Sequence, residues 1–143
     1  MARPSTRQTT RKPREALPVR NATGRDAEDV AADFLVGEGF RVLWRNVRIG
    51  SLEIDLVVKK GDLVAIVEVR ARGPGSFERP LATITYKKKR ALLSASRGLW
   101  RGRLKKMPDV LRVRIDVVAI TRDHEKGEPK IEWIKGALTE EDG

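Results

Sequence analysis

The sequence predicts an α/β domain on a mixed central sheet of about five strands, in the order helix, three strands, helix, two strands. Three observations carry that reading. Residues 24–37 and 85–103 repeat apolar side chains at three- and four-residue spacing, which is the pattern of a helix laid on a sheet. Residues 40–70 divide into three short runs rich in Val, Ile and Leu, separated by tight turns. A fourth such run, 111–121, follows the second helix, so a three-strand meander is continued through a helical crossover.

The first 20 residues, MARPSTRQTTRKPREALPVR, carry almost no apolar side chain before Leu17. Such a segment cannot offset its ordering entropy, so a disordered basic arm is expected there, serving either as a phosphate-binding arm or as a solubilising tail. The domain is expected to span 21–135. Thr23 is placed to cap the first helix, with Asp26 and Glu28 in the turns that the helix dipole favours for acids. Ala27, Val30, Ala31, Phe34 and Leu35 form its buried stripe, and Gly37 and Gly39 end it. Phe40, Val42 and Trp44 then alternate along a strand to about Val47. A hairpin follows, with strands 52–58 and 63–70 joined at Lys60-Gly61-Asp62. The loop GPGSFERP has no periodicity. In the second helix Ala91, Leu92, Ala95, Leu99 and Trp100 make the apolar stripe, interrupted by Gly98. A strand at 111–121 and a short one at 130–134 complete the sheet, and 136–143 is expected to be a flexible tail.

Composition narrows the chemistry. With 30 Lys and Arg against 20 Asp and Glu in 143 residues, the net charge is +10, and a polyanion is the first partner to consider. The absence of cysteine excludes disulfides, thiolate zinc sites and thiol nucleophiles. The single histidine, His124, lies in a polar loop, which argues against histidine clusters and Ser-His-Asp hydrolysis. No apolar run approaches the length of a membrane span and the start lacks a signal-peptide core, so a cytoplasmic protein with no membrane partner is expected.

The stretch Ser51 to Arg72 places acids inside apolar strands, which is costly unless the charge is used or paired. Alternation puts Glu53 and Asp55 on one face of the first hairpin strand, and Glu68 and Arg70 on one face of the second. If the short turn pairs the strands in a suitable register, Asp55, Glu68 and Arg70 converge at one edge of the sheet, a set suited to a hard divalent cation and a phosphate. The competing reading is a salt-bridged sheet edge in which Asp55 and Glu68 pair with Arg70 and Arg72 without metal. Glu28, at the margin of the helical stripe, either complements the dipole or reaches this acidic cluster. Lys87, Lys88, Lys89 and Arg90 open a run of cations with no acid until Asp109, and the run reads as a phosphate-facing surface. Asp116 shares a strand face with Arg114, and an internal ion pair is the preferred reading there.

Taken together, the segments GRDAEDVAADFL, RVLWRNVR, LEIDLVV, VAIVEVRAR, ITYKKKRAL and RIDVVAI resemble the YraN-type family, related to Holliday-junction resolvases within the restriction-endonuclease-like PD-(D/E)xK superfamily. The likeness covers about Asn21 to Thr121. It implies a restriction-endonuclease-like core, with Asp55 and Glu68 as ligands of Mg²⁺ or Mn²⁺, Arg70 at the superfamily's lysine position, and Glu28 as the helix-one acid. It also implies DNA as partner, for which the cations at 87–90, read from their charge, and Arg72, which faces the same way as Arg70 and is placed to share its work, are the candidate binding residues; resolvase-like relatives suggest a homodimer matched to a two-fold branched substrate. Two residues depart from the pattern. Leu52 stands where the family commonly has glycine, and Arg70 supplies a phosphate fork but does not deprotonate.

Three functions follow as expectations. The first is a metal-dependent nuclease acting on DNA, branched or damaged DNA included. The second is a non-catalytic nucleic-acid-binding module whose site is degenerate at Arg70. The third is an interaction protein whose basic surface meets an acidic partner.

Overall fold

The computed structural model describes residues 26–76, 78–122 and 127–139. The predicted arm at 1–20, the Thr23 cap, His124 and the tail beyond 139 lie outside them. The elements are α1 (Ala27–Gly37), β1 (Arg41–Ile49), β2 (Leu52–Lys60), β3 (Leu63–Arg72), α2 (Tyr86–Gly102), β4 (Arg112–Thr121) and β5 (Lys130–Ile134), the helix and strand order that the sequence predicts. Short 3₁₀ turns at Pro80–Thr83 and Leu104–Lys106 flank α2. Among the described residues, no helix is long and apolar enough to cross a membrane.

The five strands form one mixed sheet in sequence order, β1 to β5. β1, β2 and β3 meander antiparallel, β4 lies parallel to β3 after the α2 crossover, and β5 returns antiparallel to β4. β3 is therefore the central strand. The acidic cluster expected at a sheet edge lies instead within the sheet, because α2 carries the chain across to add β4 on the far side of β3.

One helix covers each face. Val30, Ala31 and Leu35 of α1 pack with Leu56, Val58, Ala65, Val67, Val118 and Ile120, while Leu92, Ala95 and Leu99 of α2 pack with Val57, Val64, Ile66 and Ile115. The residues of β3 divide between these two clusters alternately, as a strand buried on both faces must. At Gly98 α2 lies close against β1: a Cβ there would sit 2.9 Å from Cγ2 of Ile49.

Several details differ from the sequence reading. Asp26, not a residue within the helix, is the cap of α1, its carboxylate accepting the Glu28 N–H at 3.3 Å. A bulge in β1 sets Val42 against Val58 but Trp44 against Val57. The extra residue turns Trp44 to the α2 side while Val42 stays with α1, so the two do not share a face. Trp100 is exposed, and Leu93 takes its place in the buried stripe of α2. The flexible tail does not begin at Gly136: Ala137 donates its N–H to Ile115 and Leu138 is buried in the α2 core.

Candidate functional site

The site begins where two strands part. Pairing between β2 and β3 runs from Lys60 with Leu63 to Leu56 with Val67 and stops. Beyond it β2 stays with β1 through Ile54 and Leu52, while β3 stays with β4 from Glu68 to Arg72. The sheet therefore splits toward the carboxyl end of β3, the end at which open α/β sheets present ligand sites. Asp55 stands at the fork. Its Oδ2 accepts the Val69 N–H at 2.8 Å, so a side chain supplies the acceptor that the departed strand no longer offers.

Glu68 is the next residue of β3 and is only 3% exposed. Its Oε2 faces Nη1 of Arg70 at 3.3 Å and Nζ of Lys88 at 3.6 Å, and its Oε1 is buried with no hydrogen-bond partner. An orphaned carboxylate oxygen is expensive to keep in a fold. Burial, reinforced by the nearby Glu68 charge and opposed by the Val69 N–H, raises the Asp55 carboxyl to about 6.

Glu28 approaches from α1. Its Oε1 accepts Nδ2 of Asn46 at 3.0 Å, and Asn46 lies between the Arg45–Leu56 and Val47–Ile54 pairs, opposite Asp55. Burial raises the Glu28 carboxyl above its ordinary range, and the charge of Asp55 adds to the rise. Asn46 was not singled out in the sequence. It has φ +54°, a left-handed conformation that Asn tolerates better than most residues, and an Asn within an apolar strand is the signal for it.

Arg70 joins the cluster but is largely engaged by the protein: Nη2 donates to the Thr83 carbonyl at 2.6 Å and Nε to Thr83 Oγ1 at 3.4 Å. Arg72 does not join it. Its side chain is 8% exposed, pairs with Glu132 at 3.6 Å and donates to the Glu78 carbonyl, so it ties β3 to β5 and to the loop after β3. A cleft of about 540 Å³ between the end of β3 and that loop is lined by Val69, Arg70, Arg72, Gly73, Ser76 and Thr83, among others. Asp55 and Glu68 stand beside this cleft and are not part of its lining.

The predicted cations are held by the first turns of α2, whose Thr85 cap accepts the Lys88 N–H at 3.1 Å. Lys87 and Arg90 are exposed, with the Arg90 guanidinium 5.8 Å from the centre of the Tyr86 ring, and Lys88 turns inward to Glu68. Arg114 and Asp116 form the expected internal pair at 2.7 Å. The buried Asp29, which pairs with Arg45 at 2.7 Å, was not anticipated.

Among the described residues, no three Asp, Glu or His side chains gather into a metal cage. A cage is not what Mg²⁺ requires: it keeps several waters and takes one or two carboxylates. Two carboxylates that feel each other's charge, one with a bare buried oxygen, fit such an ion.

A family model, described as uncharacterised protein family UPF0102, matches residues 27–120. A UPF0102 protein of Sorangium cellulosum is 38% identical over 123 residues, covering 86% of this chain and 85% of its own. One from Thermus thermophilus is 42% identical over 97 residues, covering 68% and 81%. Among solved structures, an XisH family protein from Nostoc punctiforme is similar over 76% of this chain and 99% of its own, at 13% identity and a TM-score of 0.40.

Proposed function

The chain belongs to the UPF0102 family, and from the geometry of its site we propose that it is a metal-dependent nuclease hydrolysing DNA phosphodiesters at Asp55 and Glu68. Membership agrees with the YraN-type resemblance of its motifs. The observation that carries the proposal is the bare, buried Oε1 of Glu68 beside Asp55 at the split between β2 and β3. Asp55 and Glu68 would hold Mg²⁺ or Mn²⁺, which when bound polarises a phosphodiester and lowers the pKa of a water for in-line attack.

The chain's own residues do the rest. The Val69 N–H orients the Asp55 carboxylate, and Asn46 draws Glu28 toward the same end of the site. Arg70 and Lys88 set positive charge against Glu68, where negative charge on a reacting phosphate needs support. Lys87 and Arg90, exposed on the first turns of α2, give the DNA backbone a basic surface to lie on. The proposal extends to branched or damaged DNA as substrate and to a homodimer acting on two-fold substrates.

The test is cleavage of labelled linear, single-stranded, flapped and four-way-junction DNA with Mg²⁺, Mn²⁺ or EDTA, comparing the wild type with Glu68→Gln. Cutting that needs metal and disappears in Glu68→Gln is the expected result. A second reading is favoured by one observation, that the Arg70 guanidinium is tied to Thr83 and Glu68. It makes the protein a binding module without chemistry. Tight, salt-sensitive DNA binding with no cleavage by the wild type would establish it in place of the nuclease.

A further inference from the structure

We infer that Lys88, carried in by α2, is the cation that faces the scissile phosphate, and that Arg70, at the strand position where the catalytic lysine was expected, instead holds the cleft wall. The inference rests on the nuclease reading and assigns one of its working parts.

The two cations beside Glu68 are differently committed. Arg70 directs Nη2 and Nε at Thr83 and Nη1 at Glu68, so each nitrogen of its planar head already has a protein acceptor. That fork ties β3 to the Pro80–Thr83 turn and leaves little of the guanidinium for a ligand. Lys88 has three ammonium donors, and its Nζ lies 3.6 Å from Oε2 of Glu68, an ion pair too long for a hydrogen bond. Its side chain remains about one-third exposed, so the ammonium touches both the buried carboxylate and solvent.

Helix energetics point the same way. The first turn of α2 contains no acid, and a cation there is opposed by the positive end of the helix dipole. Lys87, Lys88 and Lys89 in succession are therefore a poor choice for helix stability. The Thr85 cap, moreover, closes on the N–H of Lys88 itself, which fixes the backbone from which the ammonium reaches Glu68.

In hydrolysis the bond from the water oxygen to phosphorus forms as the bond to the leaving oxygen breaks. One water proton passes to solvent and the leaving oxygen takes one up. Lys88 stays an ammonium throughout and donates to a non-bridging phosphate oxygen as charge gathers there. A lysine compensates in this way for a strand position occupied by an arginine that the fold has engaged.

The experiment compares Lys88→Met, Lys88→Arg and Arg70→Gln by two readouts: titration with Mn²⁺ alone, followed by electron paramagnetic resonance, and single-turnover cleavage of the best DNA from the panel. Lys88→Met is expected to keep its Mn²⁺ affinity within about threefold of wild type or to tighten it, because a like charge near the ligands is gone. Its cleavage rate at saturating DNA should fall on the order of 100-fold, with partial recovery in Lys88→Arg. Arg70→Gln should lower the melting temperature by about 4 °C or more and the cleavage rate by less than Lys88→Met does. A Lys88→Met protein that cuts at the wild-type rate, or that loses Mn²⁺ binding and cleavage together, overturns the assignment while leaving the nuclease reading intact. A wild type that neither binds Mn²⁺ nor cuts any DNA removes both.

Discussion

Asp116 and Glu68 are both buried carboxylates on adjoining strands of one sheet, yet their surroundings differ. Asp116 is fully enclosed and receives four donors: Arg114 Nε at 2.7 Å, Arg114 Nη2 at 2.8 Å, Trp133 Nε1 at 2.9 Å and the Gly136 N–H at 2.9 Å. Glu68 has two longer contacts on one oxygen and none on the other. The first arrangement fills the lone pairs of a buried charge and so makes it part of the scaffold. The second keeps a charge buried with one oxygen left without a donor, the feature on which the proposed metal site rests. Burial alone, therefore, does not distinguish these two acids; the donor count does.

The comparison breaks most sharply under charge removal. Glu68→Gln should reduce metal-dependent cleavage on the order of 10³-fold while the melting temperature stays within about 4 °C of wild type. Asp116→Asn should do the reverse. With Arg114 left facing a neutral amide, urea unfolding should show a loss of about 3 kcal/mol, and cleavage per folded molecule should be unchanged. Equal effects of the two changes on activity would mean that the donor count had misled.

The pH dependence sharpens the contrast further. Asp55 titrates at about 6 in the fold against 3.8 in the unfolded chain. The folded state thus holds more protons between those values, and its stability falls as pH rises through that window. Metal binding needs the deprotonated form, so Mn²⁺ affinity should rise as pH passes through about 6. Asp55→Asn should match the wild type in stability near pH 3 and exceed it at pH 7 by about 1 kcal/mol, a figure reduced for the partial exposure of the group. Thermal melts across that range measure it; a wild type as stable as Asp55→Asn at both ends would contradict the burial of Asp55.

The smallest expected effect tests the scaffold side. Trp133→Phe removes one of the four donors to Asp116 but keeps an aromatic ring against Phe34 and Phe40, now 5.5 and 6.0 Å from the Trp133 ring. Stability should fall by about 1 kcal/mol by urea denaturation, with cleavage unaffected.

Much of this was legible in the chain. Alternation and helical spacing placed every helix and strand among the described residues, because those patterns report directly which side of an element is buried. The acids within apolar strands marked Asp55, Glu68 and Asp116 for the same reason: a charge in a buried run requires an account. The pairing of Asp116 with Arg114 was readable because both lie on one strand two residues apart. The bulge that turns Trp44 was not readable, since an extra strand residue leaves the local composition unchanged. Nor was the burial of Leu138, whose partners lie on α2 and β4.

What the sequence by itself determined is the element order, the basic surface at the start of α2 and the identity of the candidate acids. These depend on composition and on spacings of two to four residues, which local geometry converts into faces. Only the tertiary structure decided that β3 is central, that β2 leaves it at Asp55, that Thr83 engages Arg70 while Lys88 meets Glu68, and that Arg72 turns away to Glu132. Each of those contacts joins residues on different elements, separated in the chain by loops and turns. For these pairs, which donor reaches which acceptor is set by how the elements cross, and no local spacing encodes that.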